Sequence, residues 1–192
     1  MQRILRLLTA AAVLAISGCV NLKPQPDRTQ LFLLAANVAT PANLSGTPPS
    51  YVARVELPGY LEGTRIYHRS AGGTLNAIAG ARWAEAPSEA LPQAFAMHLQ
   101  ATGRTQVRAY YPSPQGNAAL ATVSVRFERF SARADGQMEV IAQWKVVHPN
   151  GSIDSGRYVA PEMLWDGGEP AAYIALLDTA LAGLAETIVA TF

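Results

Sequence analysis

The sequence predicts an α/β (α+β) domain, a largely antiparallel sheet with flanking helices. Three observations predict it. Residues 120–130 (LATVSVRFERF) and 137–147 (QMEVIAQWKVV) alternate apolar and polar side chains, the period-two pattern of half-buried strands. Asp135-Gly136 lies between them and Asn150-Gly151 follows. Both dipeptides favour tight hairpin turns, so residues 152–159 complete a three-strand meander. Finally, Ile174, Leu177, Leu181, Leu184 and Ile188 fall on one stripe of a helix opened by Glu169-Pro170.

The chain opens on a different kind of signal. Arg3 and Arg6 precede a short run, residues 7–16, that is apolar apart from Thr9; Ser17-Gly18 and Cys19 follow. A basic start, an apolar stretch and small residues make a secretory signal, and the run is too short for a membrane-spanning helix, which needs roughly 20 apolar residues. Cys19 is the one cysteine in the chain. Ile16-Ser17-Gly18-Cys19 resembles the bacterial lipobox, in which the cysteine is lipidated and becomes the first mature residue. The alternatives are an ordinary cleaved signal with a coincidental cysteine, or a buried thiol. The expected organisation is a signal peptide at 1–18, a lipid-anchored tether at 19–29 and a single domain at 30–192. The tether contains two prolines and mostly polar residues, which suits a flexible linker. Loss of Arg3 and Arg6 turns the formal charge from +1 to −1. That balance excludes the basic excess of a nucleic-acid binder. With Cys19 acylated, no thiol is left for a disulfide, so the domain stands on packing alone.

Along the domain, residues 29–36 (TQLFLLAA) predict a buried strand and residues 37–50 a proline-rich loop, either plain connection or functional. Residues 51–57 alternate as a strand broken by Pro58-Gly59, with at most one helical turn at 60–62. Residues 64–69 form another strand, 70–73 a turn, and 74–84 an extended segment bent at Gly80 and ending at Trp83. Pro87-Ser88-Glu89 starts a helix with Ser88 as its cap. Leu91, Phe95 and Leu99 give it an apolar stripe, and Gly103 ends it. Pro92 conflicts with that helix, being tolerable only in a first turn. Residues 105–111 form a strand and 112–117 a loop. Residues 161–168 are irregular. The last helix is a core helix packed on the sheet, or one that partly faces another subunit.

No catalytic constellation emerges. His68, His98 and His148 are far apart and none has a neighbour at metal-ligand spacing. No G-x-S-x-G is present, and Gly72-Gly73 and Gly167-Gly168 lack the Lys-Ser/Thr of a P-loop. Asn150-Gly151-Ser152 matches a glycosylation sequon but reads better as a turn. No catalytic, cofactor or metal residue is assigned, and the expectation is a protein that is not an enzyme.

The run Val55-Glu56-Leu57-Pro58-Gly59-Tyr60-Leu61, then Arg65-Ile66-Tyr67-His68-Arg69, then Trp83-Ala84-Glu85-Ala86, resembles the ABC-type transport auxiliary lipoproteins, the PqiC-like (paraquat-inducible protein C-like) family. The later meander and Leu/Ala-rich helix agree. Tyr67 departs from the family's usual aliphatic residue, and Ala86-Pro87 replaces its Pro-Leu. The resemblance implies a mixed sheet with flanking helices, similar to the anticodon-binding-domain-like or TolB N-terminal fold. It implies an outer-membrane lipoprotein on the periplasmic face, held through acylated Cys19. It also implies a partner, an MCE-domain periplasmic conduit protein of an ABC-type lipid transporter, and a ring-like homo-oligomer. Val20, which is not aspartate, favours the outer membrane. The other reading is a standalone envelope scaffold or an outer-membrane or lipopolysaccharide assembly lipoprotein. Residues 37–50, Tyr110-Tyr111 and Phe130, on the polar face of its predicted strand, are the candidate interface residues.

Overall fold

The computed structural model describes residues 26–39, 41, 44–115 and 119–192. The signal peptide, Cys19 and most of the tether lie outside the described residues. Among the described residues, eight strands and two α-helices follow in order, with short 3-10 turns at Gly59–Leu61 and Ala71–Gly73. The strands and α-helices are β1 (Gln30–Phe32), β2 (Pro49–Val52), β3 (Arg65–Arg69), β4 (Leu75–Trp83), α1 (Pro87–Ala101), β5 (Gln106–Tyr110), β6 (Ala121–Ala132), β7 (Met138–Val147), β8 (Ile153–Val159) and α2 (Pro170–Val189). The strands make a three-stranded sheet, β1-β4-β3, and a five-stranded sheet, β5-β2-β6-β7-β8. The architecture is the mixed α+β fold that the sequence predicts.

The meander is as expected. β6, β7 and β8 run antiparallel, with Val123, Val125, Phe127, Val140, Ala142, Trp144 and Val146 buried on one face. Gly136 and Gly151 both carry positive φ in the turns that join them. Gly136 has a second reason to lack a side chain, since a Cβ there would lie 2.1 Å from the Trp165 carbonyl oxygen. The remaining pairings are less local. β2 lies between β5 and β6 and is parallel to both. Parallel neighbours need a long crossover, and the β3–β4 hairpin with α1 supplies the one from β2 to β5.

Four expectations are corrected. The segment at 29–36 is not a buried strand: β1 is three residues long, lies at a sheet edge, and leaves Leu31 66% and Leu33 51% exposed. The chain then turns, with Leu34 and Ala35 buried and Ala35 at φ 55°. The strand predicted at 51–57 starts earlier and loses regularity after Val52. Val52 and Val55 are both buried although three apart, so the alternation changes phase between them. Ser88 is not the cap of α1. Ala86 holds that position with no side-chain hydrogen bond, because Pro87 takes the first helical position and moves Ser88 inside. Phe130 is not on the polar face. A bulge between Phe127 and Arg129 reverses the phase of β6 and buries Phe130 at 2% exposure.

Pro92 falls in the second turn of α1 and is buried. It has no N–H to give the Ser88 carbonyl, yet the helix continues through Leu91, Phe95 and Leu99, all buried. Gly103, at φ 71°, closes the helix by donating its N–H to the Gln100 carbonyl. In α2 the whole predicted stripe is buried, from Ile174 to Ile188. The helix is long and apolar enough to cross a membrane by length and composition, but here that stripe is core.

Side chains from α2 fasten the parts together. The Tyr173 hydroxyl accepts a hydrogen bond from the Ala132 N–H at the end of β6 (3.1 Å) and donates to the Tyr67 carbonyl of β3 (2.8 Å). It therefore joins the two sheets. Burial raises its pKa well above the ordinary tyrosine range, so it stays a neutral donor. Trp165 packs edge-on against Tyr173 and His68, at ring-centroid distances of 5.1 and 5.5 Å. The Asp178 carboxylate accepts the Ala35 N–H (2.8 Å) and lies 3.3 Å from buried His98 of α1.

Replacing Tyr173 by Phe leaves the Ala132 N–H buried without its acceptor. Urea unfolding of Tyr173→Phe should show a loss of about 1–3 kcal/mol, with the slope against denaturant unchanged.

Candidate interaction site

One face of the five-stranded sheet is covered by the core and the other is open. The register of the meander arranges the open face. Ser124, Lys145 and Ser155 stand opposite one another on β6, β7 and β8. Two residues along, Arg126, Gln143 and Arg157 form a second row. The irregular continuation of β2 adds Arg54 and Glu56 beside β6, held by hydrogen bonds from Glu56 N–H to the Val125 carbonyl (3.0 Å) and from Phe127 N–H to the Glu56 carbonyl (2.9 Å). Together these residues line an open groove of about 730 Å³. Val125 and Trp144 lie at its floor, with their side chains buried on the other face.

The charges in the groove differ in how they are held. The Arg157 guanidinium bonds the Glu128 carboxylate at 3.0 Å, and Gln143 donates to the same carboxylate at 2.9 Å. The bond from Arg157, then the one from Gln143, holds Glu128 below the usual glutamate pKa, and the same contact raises Arg157 further. Arg126 and Glu56 are a looser pair, 3.6 Å apart with both side chains largely exposed. The Arg54 guanidinium lies 5.7 Å from the centre of the Tyr111 ring, at one end of the groove. Lys145 is exposed and has no carboxylate partner among the described residues. Four cations therefore line the groove against one carboxylate, Glu56, with Glu128 just beyond. In a chain of nearly balanced charge this concentrates positive potential on one face.

The residues singled out in the sequence are dispersed. Cys19 lies outside the described residues. The loop at 37–50 runs into β2, and Thr40, Ala42 and Asn43 of it are not described. Tyr110 and Tyr111 are half-buried, and only Tyr111 borders the groove, through Arg54. Phe130 belongs to the core. His68 packs on Trp165, His98 faces Asp178, and His148 lies 2.8 Å from Asp154. Among the described residues, no three His, Cys, Asp or Glu are grouped to hold a metal. The groove residues were written in the sequence as the polar positions of the alternating strands. The hairpin turns could have paired β6 with β7 and β8. Nothing local shows that β2 brings Arg54 and Glu56 alongside them.

Comparison with known proteins agrees on family and fold. The ABC-type transport auxiliary lipoprotein component family matches residues 32–189. No curated protein matches the sequence. A crystal structure of an uncharacterized protein superposes with a TM-score of 0.64 at 19% identity, over 84% of this chain and 95% of that one. A DUF330 protein from Xanthomonas campestris gives 0.59 at 17% identity, over 84% and 90%. A PelC dodecamer from Paraburkholderia phytofirmans, at 16% identity over 82% and 92%, has a TM-score of 0.40, too low to carry an argument.

The Glu128–Arg157 contact makes one pH expectation. A carboxylate whose folded pKa is depressed stabilises the fold above its unfolded pKa, and that contribution is lost as pH falls through the folded pKa. A carboxyl-detected NMR titration should place the Glu128 midpoint below the usual glutamate value. Arg157→Ala should move it upward toward that value, and an unmoved midpoint would refute the contact.

Proposed function

The chain belongs to the family of ABC-type transport auxiliary lipoprotein components, and on that premise we propose that it docks the periplasmic conduit of such a transporter at the outer membrane. The observation that carries this reading is the family match over residues 32–189, nearly the whole domain. In this reading the protein is non-catalytic and works by binding. Residues 1–18 are removed, Cys19 is acylated, and residues 19–29 tether the domain. Each buried CH₂ contributes about 0.8 kcal/mol, so two or more acyl chains hold a protein stably on a bilayer. The eleven tether residues reach at most roughly 36 Å when extended, at about 3.3 Å each. Val20, in place of aspartate, supports the outer membrane as the destination.

The partner in this reading is an MCE-domain conduit protein, and lipid is the cargo. A ring-like homo-oligomer around the distal end of the conduit needs two unlike contact surfaces on each subunit. The strand order supports that requirement, since the five-stranded sheet ends in two different strands, β5 and β8.

Two measurements test the reading. Cys19→Ser should leave the protein unprocessed or release it from the membrane fraction; a variant still processed and membrane-held would rule out the anchor. The wild-type lipoprotein should co-purify with an MCE-domain protein from detergent-solubilised envelopes. Recovery without any such partner would rule out docking.

A further inference from the structure

We infer that the groove on the open sheet face receives an extended acidic segment of the partner protein, with carboxylates seated over Lys145 and beside Arg126. The inference rests on the docking reading above and adds the face that docks and the chemistry it recognises.

Charge is the first argument. The groove gathers Arg54, Arg126, Lys145 and Arg157 within one cavity of about 730 Å³, against the single carboxylate of Glu56 in its lining. Arg157 is committed to Glu128, and Arg126 is only loosely held by Glu56. Lys145 stands between two hydroxyls, Ser124 and Ser155, in strict register across three strands. An ammonium flanked by two hydroxyl donors, with a guanidinium one row away, is a donor set for oxyanions. No carboxylate of the described residues occupies it.

Spacing is the second. Rows on the same face of a strand are about 6.6–7 Å apart. Alternate side chains of an extended polypeptide have the same spacing. A partner segment lying along the strands with acidic residues at i and i+2 would therefore place one carboxylate at the Lys145 row and the next at the Arg126 row. The wall chemistry is the third. The groove presents Arg, Lys, Gln, Glu and Ser, while Val125 and Trp144 turn their side chains into the core. These walls are charged heads on aliphatic stems, and an extended protein segment matches both, with carboxylates over the heads and its intervening carbons along the stems.

The test uses the full-length lipoprotein in three forms: wild type, Lys145→Glu, and Arg104→Glu as an equal charge change at an exposed position outside the groove. Each is purified from detergent-solubilised envelopes, and the MCE-domain conduit protein recovered with it is quantified. Lys145→Glu should lower recovery about tenfold, as losing a close interfacial charge pair does, and Arg104→Glu should leave it unchanged. Thermal unfolding checks that the variants are folded, and Lys145→Gln replaces Lys145→Glu if the latter is not. In parallel, labelled hexaglutamate and phosphatidylglycerol vesicles are titrated against the purified protein. Hexaglutamate should bind in a salt-sensitive manner that Lys145→Glu weakens. If wild type and Lys145→Glu recover the conduit equally, the groove inference is overturned and docking stands. If wild type recovers none, docking fails and the inference fails with it. If the vesicles bind through Lys145 and hexaglutamate does not, the groove is a lipid-headgroup site and the inference is overturned.

Discussion

One buried hydroxyl, that of Tyr173, bonds both sheets of this domain. Tyr173 donates to β3 and accepts from β6, so each sheet gives up one backbone group to the same oxygen. The Ala132 N–H is fully buried, and leaving such a backbone group unpaired is costly. The apolar stripe of α2 supplies most of the burial, and this contact fixes where the helix meets the two sheets. Once Tyr173 is fixed, Trp165 packs on its ring. One turn and a half along the helix, Asp178 reaches the turn after β1 and meets His98 on α1. A second link between the sheets, the ion pair of Arg69 with Glu139, runs between β3 and β7. The helix is thus the piece against which both sheets and the other helix are set.

What could be read from the sequence was what repeats locally. Alternation and two Gly-containing turns fix β6 to β8, because period and turn chemistry are properties of a few neighbouring residues. The stripe of α2 is legible for the same reason. The misreadings cluster where tertiary contacts override the local pattern. Leu31 and Leu33 look like core residues, but β1 has room for only three paired residues at a sheet edge. Phe130 looks exposed because a period of two is assumed past a bulge that one extra residue introduces. Ser88 looks like a cap until Pro87 claims the first helical position.

The candidate site was half legible on the same terms. Lys145, Arg126 and Arg157 are polar positions in recognisable strands, so their shared face follows from the hairpin register. Arg54 and Glu56 reach that face only because β2 inserts, parallel, between β5 and β6. Long-range parallel pairing leaves no trace in nearby residues. Cys19 is the opposite case: the lipidation proposed for it is read from the three preceding residues alone.

The asymmetry between the two sides of the five-stranded sheet bears on how such a protein diversifies. On the core side there is no slack. A Cβ at Gly156 would meet the Trp144 ring at 2.8 Å, and one at Gly183 would meet the Tyr158 hydroxyl at 2.5 Å. On the open side, side chains meet mainly solvent and one another, and exchanges there cost little folding free energy. Recognition can therefore be rewritten on one surface while the scaffold behind it is held constant. A backbone shared at 19% identity with a solved structure is what that division of labour permits.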